Sequence, residues 1–238
     1  MKLGLFSDSH YCRAEIRCKT RRPSLSLDKI REAMTAFREA EVDLCLCLGD
    51  IVDKGSTPNE PLACLREAME VIRASELPFR ILAGNHDTAV FPAKIFEQET
   101  RCQTPPYVMD TDTHRLIFLD ANYSSDLIRY DATGSGVDEW KDTNLPPEQL
   151  DFLQKSLDGA QTPCIVLLHQ NLEAEAQIDH RVNNAATAQR IMESSGKVSL
   201  VIQGHYHPGA DRTENGIRYL PLPAMCEGED NHFIILEI

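Results

Sequence analysis

The chain has 238 residues, which suits one large α/β domain, so residues 1–238 are expected to form a single domain. Its composition, 42% hydrophobic and 26% charged, is that of a globular protein, and its formal net charge of −13 opposes a broad electrostatic footprint on DNA or RNA. Neither the apolar start from Met1 to Phe6 nor the run from Cys164 to Leu168 is long enough for a signal peptide or a membrane span, so a cytoplasmic protein without a membrane partner is expected.

In chain order, Leu3 to Phe6 reads as a strand and runs into Ser7-Asp8-Ser9-His10. Leu27, Ile30, Met34 and Phe37 then repeat at helical spacing, with Ser26 available as the N-cap. Leu44 to Leu48 is a second strand, stopping at Gly49-Asp50. A second helix follows a Pro58-Asn59 start signal and carries Leu62, Leu65, Met69 and Ile72. Phe79 to Ala83 leads to Gly84-Asn85-His86-Asp87, and His114 to Asp120 reads as a further strand. Tyr123 to Thr143 is polar, contains Gly134-Ser135-Gly136, and reads as a long loop or flap. A third helix is expected from Pro146-Pro147-Glu148 to Gly159, using Leu150, Leu153 and Leu157. Cys164 to Leu168 ends at His169, and a fourth helix runs from about Asn184 to Ser195. Val198 to Ile202 leads to Gln203-Gly204-His205-Tyr206-His207, and Ile217 to Leu220 and His232 to Glu237 look like two antiparallel strands. Short, continuously apolar strands alternating with helices imply an α/β fold whose strands are buried on both faces.

The eight cysteines include no Cys-x-x-Cys pair. They read as reduced, small apolar side chains, not as disulfides or a zinc site.

The chemistry gathers where strands end, which is where open α/β folds bind ligands. Five strand ends supply Asp8, His10, Asp50, Asn85, His169, His205 and His207, and only His114, His180 and His232 among the histidines lie elsewhere. Imidazole with carboxylate and no thiolate suits Mn, Fe, Zn, Co or Ni and disfavours Ca or Mg. Seven ligands exceed one zinc site but fit two cations sharing a carboxylate, a recurrent arrangement in phosphoryl chemistry.

Asp8-Ser9-His10, Gly49-Asp50-Ile51-Val52-Asp53, Gly84-Asn85-His86-Asp87, His169 and Gly204-His205-Tyr206-His207 resemble, in order, the signature blocks of calcineurin-like metallophosphoesterases. The resemblance implies a sandwich of two mixed β-sheets flanked by helices. It further implies that Asp8, His10 and His207 bind one metal, that Asn85, His169 and His205 bind a second, and that Asp50 bridges them. Mn, Fe or Zn are the expected ions. His86 would protonate the leaving oxygen or stabilise the phosphoryl group, with Asp53 orienting it. The implied reaction is in-line attack on phosphorus by a hydroxide held between two metals.

Substrate is read less directly. Lys54 follows Asp53 where protein phosphatases of this superfamily carry Arg, and Asp87 stands where they carry Glu. Both departures move the resemblance toward the class III cyclic-nucleotide phosphodiesterase-like branch and a small phosphodiester or nucleotide-like substrate. A phosphomonoesterase and a silent metal-binding scaffold are the alternatives. Asn85, His86, Arg13 and Lys54 are the candidate substrate contacts. The basic cluster Arg13, Arg17, Lys19, Arg21 and Arg22 reads first as a solvated flap and second as a phosphate contact. Trp140 and Tyr130 either stack on a base or close the flap. Oligomeric state is open, a homodimer included.

Overall fold

The computed structural model describes residues 1–132 and 139–238, so Gly134, Ser135 and Gly136 of the expected flap lie outside the described residues. Two sheets face each other. The first has the order β10-β1-β2-β3, with β1 at Lys2–Phe6, β2 at Leu44–Cys47, β3 at Phe79–Ile81 and β10 at Ile234–Glu237. The second has the order β4-β5-β6-β7-β9-β8, with β4 at Tyr107–Asp110, β5 at Arg115–Phe118, β6 at Cys164–Leu167, β7 at Val198–Gln203, β8 at Arg212–Glu214 and β9 at Ile217–Pro221. Strands β1, β2 and β3 are parallel, as are β5, β6, β7 and β9, while β10, β4 and β8 pair antiparallel at edges. This is the two-sheet mixed sandwich that the family resemblance implies.

Strand alternation explains why the apolar runs are continuous. Leu3, Leu5, Leu44, Leu46, Ile165, Leu167, Leu200 and Ile202 point between the sheets. Their neighbours Phe6, Cys45 and Cys47 face outward to α1, Ser26–Glu39, and α2, Glu60–Ala74. On the second sheet Cys164, Val166, Leu168 and Val201 face α5, Pro147–Asp158, and α6, Ala185–Ser195. The central strands β1, β2, β6 and β7 are therefore apolar on both faces, and each buried Leu or Ile contributes about 1.5–3 kcal/mol. All eight cysteines are free, and seven are buried, as small apolar side chains beneath helices would be. Gly4 has a specific task here, because a Cβ on it would meet the Phe37 ring at 2.6 Å.

Three local expectations change. Ser26 is not a cap: its hydroxyl donates to the Ser9 carbonyl and ties α1 to the loop after β1. The two C-terminal strands do not pair with each other; β9 runs parallel to β7, and β10 returns to lie antiparallel to β1 in the other sheet. The short helices α3, Asn85–Val90, and α4, Ala93–Thr100, and the edge strands β4 and β8 carry too little periodicity to be read from sequence. No helix among the described residues is long and apolar enough to cross a membrane.

Candidate metal centre

Both sheets send the carboxyl ends of their parallel strands to one edge. Asp8 and His10 follow β1, Asp50 follows β2, Asn85 follows β3, His169 follows β6, and His205 and His207 follow β7. The loops turn sharply there. Asp8, His10, Asp50 and His205 all have positive φ, at 54°, 45°, 52° and 65°, a conformation that costs energy for side chains with a Cβ. Ladder-like bonds hold them in place: Asp8 N–H donates to Gly49 O at 3.0 Å and His10 N–H to Asp50 O at 2.9 Å. Gly84 is required by proximity, since a Cβ would sit 2.1 Å from Asp50 Oδ1.

The seven expected ligands converge. His10 Nε2 lies 3.3 Å from His207 Nε2, 3.7 Å from Asp8 Oδ1 and 3.5 Å from Asp50 Oδ2. On the other side His169 Nε2 lies 3.3 Å from Asn85 Oδ1 and 3.4 Å from the same Asp50 Oδ2. Atoms that bind one ion at about 2.0–2.2 Å stand about 3–3.5 Å apart. His205 belongs to the second group, with its ring 5.1 Å from that of His169.

Hydrogen bonding leaves the metal-facing atoms free. Asp8 Oδ2 accepts from Ser7 Oγ and His205 N–H, while its Oδ1 is buried without a partner. Asp50 Oδ1 accepts the His86 N–H at 2.8 Å, which turns Oδ2 to the centre. His169 Nδ1 donates to Leu48 O and His207 Nδ1 to Glu227 Oε1, both at 2.7 Å, so each Nε2 faces inward as a lone-pair donor. His205 Nε2 is buried and unpartnered. Orphaned polar atoms are costly in a protein interior; here Asp8 Oδ1 lies 3.7 Å from His10 Nε2 and 3.6 Å from His207 Nε2, and His205 groups with Asp50 and His169, so the donor set fits two transition-metal cations.

The electrostatics agree. Burial works to raise the Asp8 and Asp50 carboxyls, but His169 and the other imidazoles around them hold both below the usual range. Burial also opposes a charge on His169, yet Asp50 and Asp8 push it up to about 10, so positive charge is favoured at this point.

His86 stands beside the ligands. Its ring meets His10 edge-on at 4.4 Å, and its Nδ1 lies 2.9 Å from Asp53 Oδ1. Burial alone would lower its pKa, but Asp50 and Asp53 raise it; the same contact brings Asp53, despite its burial, down to about 2. Asp87 is buried and accepts from Gly84, Ile51 and Val52 N–H groups, which locks two ligand loops together.

Of the four candidate substrate contacts, Asn85 and His86 line the cleft, and Arg13 and Lys54 do not. Arg13 turns away and pairs with Glu67 and the Tyr11 hydroxyl. Lys54 is exposed, and its carbonyl accepts from Arg17. The basic residue in the cleft is Arg21, and Arg17 lies 3.6 Å from Asp53 Oδ2, so the cluster is not a solvated flap throughout. Tyr130 is buried and its hydroxyl donates to Asp142 O, a structural role, whereas Trp140 lines the cleft.

Four residues escape a sequence reading. Glu227 orients His207 from a loop with no motif, and buried Lys29 pins that loop by donating to Met225 O and Gly228 O. Cys226 Sγ lies with ring nitrogens of His10 and His207 inside a 4.8 Å group. His180, set aside as remote, stands 5.2 Å from His205 ring to ring and lines a cleft of about 270 Å³ above the centre.

Known proteins share parts of this sequence and its fold. A "Probable cyclic nucleotide phosphodiesterase" of Psychrobacter arcticus is 23% identical over 209 residues, covering 83% of this chain and 67% of its own length. A protein of the same description from Fibrobacter succinogenes is 23% identical over 216 residues, covering 87% and 73%. The crystal structure of a dimetal phosphatase from Danio rerio shares the fold with a TM-score of 0.81 at 19% identity, over 99% of this chain and 91% of that one. The family model for calcineurin-like phosphoesterases matches residues 1–209, and the chain belongs to that family.

Proposed function

We propose that the protein hydrolyses a small phosphodiester, using two transition-metal cations, manganese, iron or zinc, held between the ends of its two sheets. One observation carries this reading: Asp50 Oδ2 stands 3.5 Å from His10 Nε2 and 3.4 Å from His169 Nε2, so one oxygen serves two ligand groups. Asp8, His10 and His207 would hold one cation and Asn85, His169 and His205 the other, with Asp50 shared between the two groups. When bound, such a pair lowers the pKa of water toward neutrality and offsets charge on the phosphoryl oxygens.

The chain's own residues do the rest. Burial discourages a proton on His86, but the Asp50 and Asp53 carboxylates outweigh it and favour the protonated ring. Asp53 accepts from Nδ1 and leaves Nε2 to face the substrate. As water oxygen bonds to phosphorus and the ester P–O bond breaks, the leaving oxygen takes that proton. Arg21 meets phosphate charge at the cleft wall, the task first expected of Arg13 and Lys54. Preference for a diester is supported by the descriptions of the two sequence relatives.

The test is hydrolysis of bis-p-nitrophenyl phosphate against p-nitrophenyl phosphate with manganese supplied. The diester should turn over faster. A faster monoester would reassign the protein as a phosphomonoesterase, and no hydrolysis of either with Mn, Fe, Co, Ni or Zn would sink the enzymatic reading.

A further inference from the structure

The cleft has two unlike halves. At the His10 and His207 end are His86, against the His10 ring, and Arg21, whose Nε lies 3.8 Å from the Glu227 carboxylate that orients His207. At the His205 end the wall is aromatic. The Trp140 ring lies 5.5 Å from His205 and 4.9 Å from His180, and His180 is 5.2 Å from His205. These rings come from segments about forty residues apart in sequence, joined by the Lys141–Asp179 ion pair at 2.7 Å. Behind them Tyr206 packs edge-on to His180 at 5.3 Å. The metal ligands do not need this wall. Packing alone also leaves a defect in it, because His180 Nδ1 is buried and has no hydrogen-bond partner.

We propose that Trp140 and His180 form a subsite for a planar aromatic ring with polar edges, a nucleobase, on the arm of the substrate that keeps its bond to phosphorus. The orientation follows from the two halves. A leaving oxygen that takes its proton from His86 departs at the His10 end, so the retained arm extends toward His205 and the aromatic wall. The ring stacks on Trp140, and an edge group of the base satisfies His180 Nδ1. The product held after the ester bond breaks is then a nucleoside monophosphate. The inference rests on the phosphoesterase reading above and adds to it which end of the cleft takes the base.

Trp140 is the chain's single tryptophan, so its fluorescence reports the subsite directly. The experiment compares AMP with ribose 5-phosphate on the manganese-loaded protein, by tryptophan emission and by calorimetry. AMP should quench the emission saturably and bind about tenfold tighter, the scale of one base stacked on an aromatic side chain. Trp140→Ala and His180→Ala should bring the two affinities together, and Trp140→Phe, which keeps a ring, should retain most of the difference. Equal affinities in the unmodified protein, or an undiminished preference in Trp140→Ala, would overturn the subsite while bis-p-nitrophenyl phosphate hydrolysis left the enzyme reading standing. If neither ligand nor inorganic phosphate bound and no ester were cleaved, the phosphoesterase reading would fail and the subsite with it.

Discussion

Asn85 and His86 are neighbours on the first turn of α3, yet their side chains take different directions. Asn85 Oδ1 faces His169 inside the ligand group, while His86 turns to Asp53 and the cleft. Asn85→Ala should therefore reduce bound metal, measured by elemental analysis. His86→Ala should keep both ions and slow turnover by about 10²–10⁴-fold, the usual weight of a lost proton donor. Equal metal loss in both variants would remove His86 from its proposed role. Glu173, away from the centre, gives a pH prediction. Burial raises its pKa above the ordinary 4.5, although Gln203 and Arg212 pull it down. The folded state then binds a proton that the unfolded state has released, so stability is full below about pH 4.5 and falls as pH rises through the raised value. Denaturant midpoints should show that decline, and Glu173→Gln should flatten it.

At the scale of elements, the glycines of the motifs are spaces for neighbouring parts. Gly84 lets the Asp50 carboxylate approach α3, which explains why a ligand block opens on glycine. Gly4 does the same for the helix layer, where the Phe37 ring lies against bare backbone. Gly4→Ala should overpack this contact and cost about 1–3 kcal/mol in denaturant unfolding, and adding Phe37→Leu should recover part of it. A cost unchanged by the second substitution would show that the strain lies elsewhere. The helix stripes and buried strands were legible because their periods, near 3.6 and continuous, repeat over enough residues to stand out. Elements of three to eight residues at edges, such as β8 and α4, carry no such repeat and take shape from the neighbours they pair with.

For the whole molecule, the centre is where both sheets end, so cation binding should clamp the sandwich. Asp8 and Asp50 are buried among imidazoles there, and Asp8 Oδ1 and His205 Nε2 have no hydrogen-bond partner. Saturating manganese should raise the melting temperature in a concentration-dependent way, by about 2.7 kcal/mol of stability at a hundredfold excess over the dissociation constant. Asp50→Asn should lose most of that response. A melting temperature indifferent to manganese and to chelator would count against the assembled centre.

The order of strand, polar cluster and helix was sufficient to name the α/β class and all seven residues that the structure gathers at the centre. Each motif sits at a strand end, and chain order alone carries it there. What surrounds the centre was decided only by folding. Arg13 and Arg21 are equally basic on paper, but the bridge between Arg17 and Arg21 turns one toward the cleft, while Glu67 holds the other away. Glu227 and His180 stand in loops without periodicity or spacing, and contacts far along the chain bring them to His207 and His205. Ligand positions follow from local chain geometry, which is written in sequence. Substrate contacts depend on which distant loops pack over the strand ends, and that is a property of the tertiary structure.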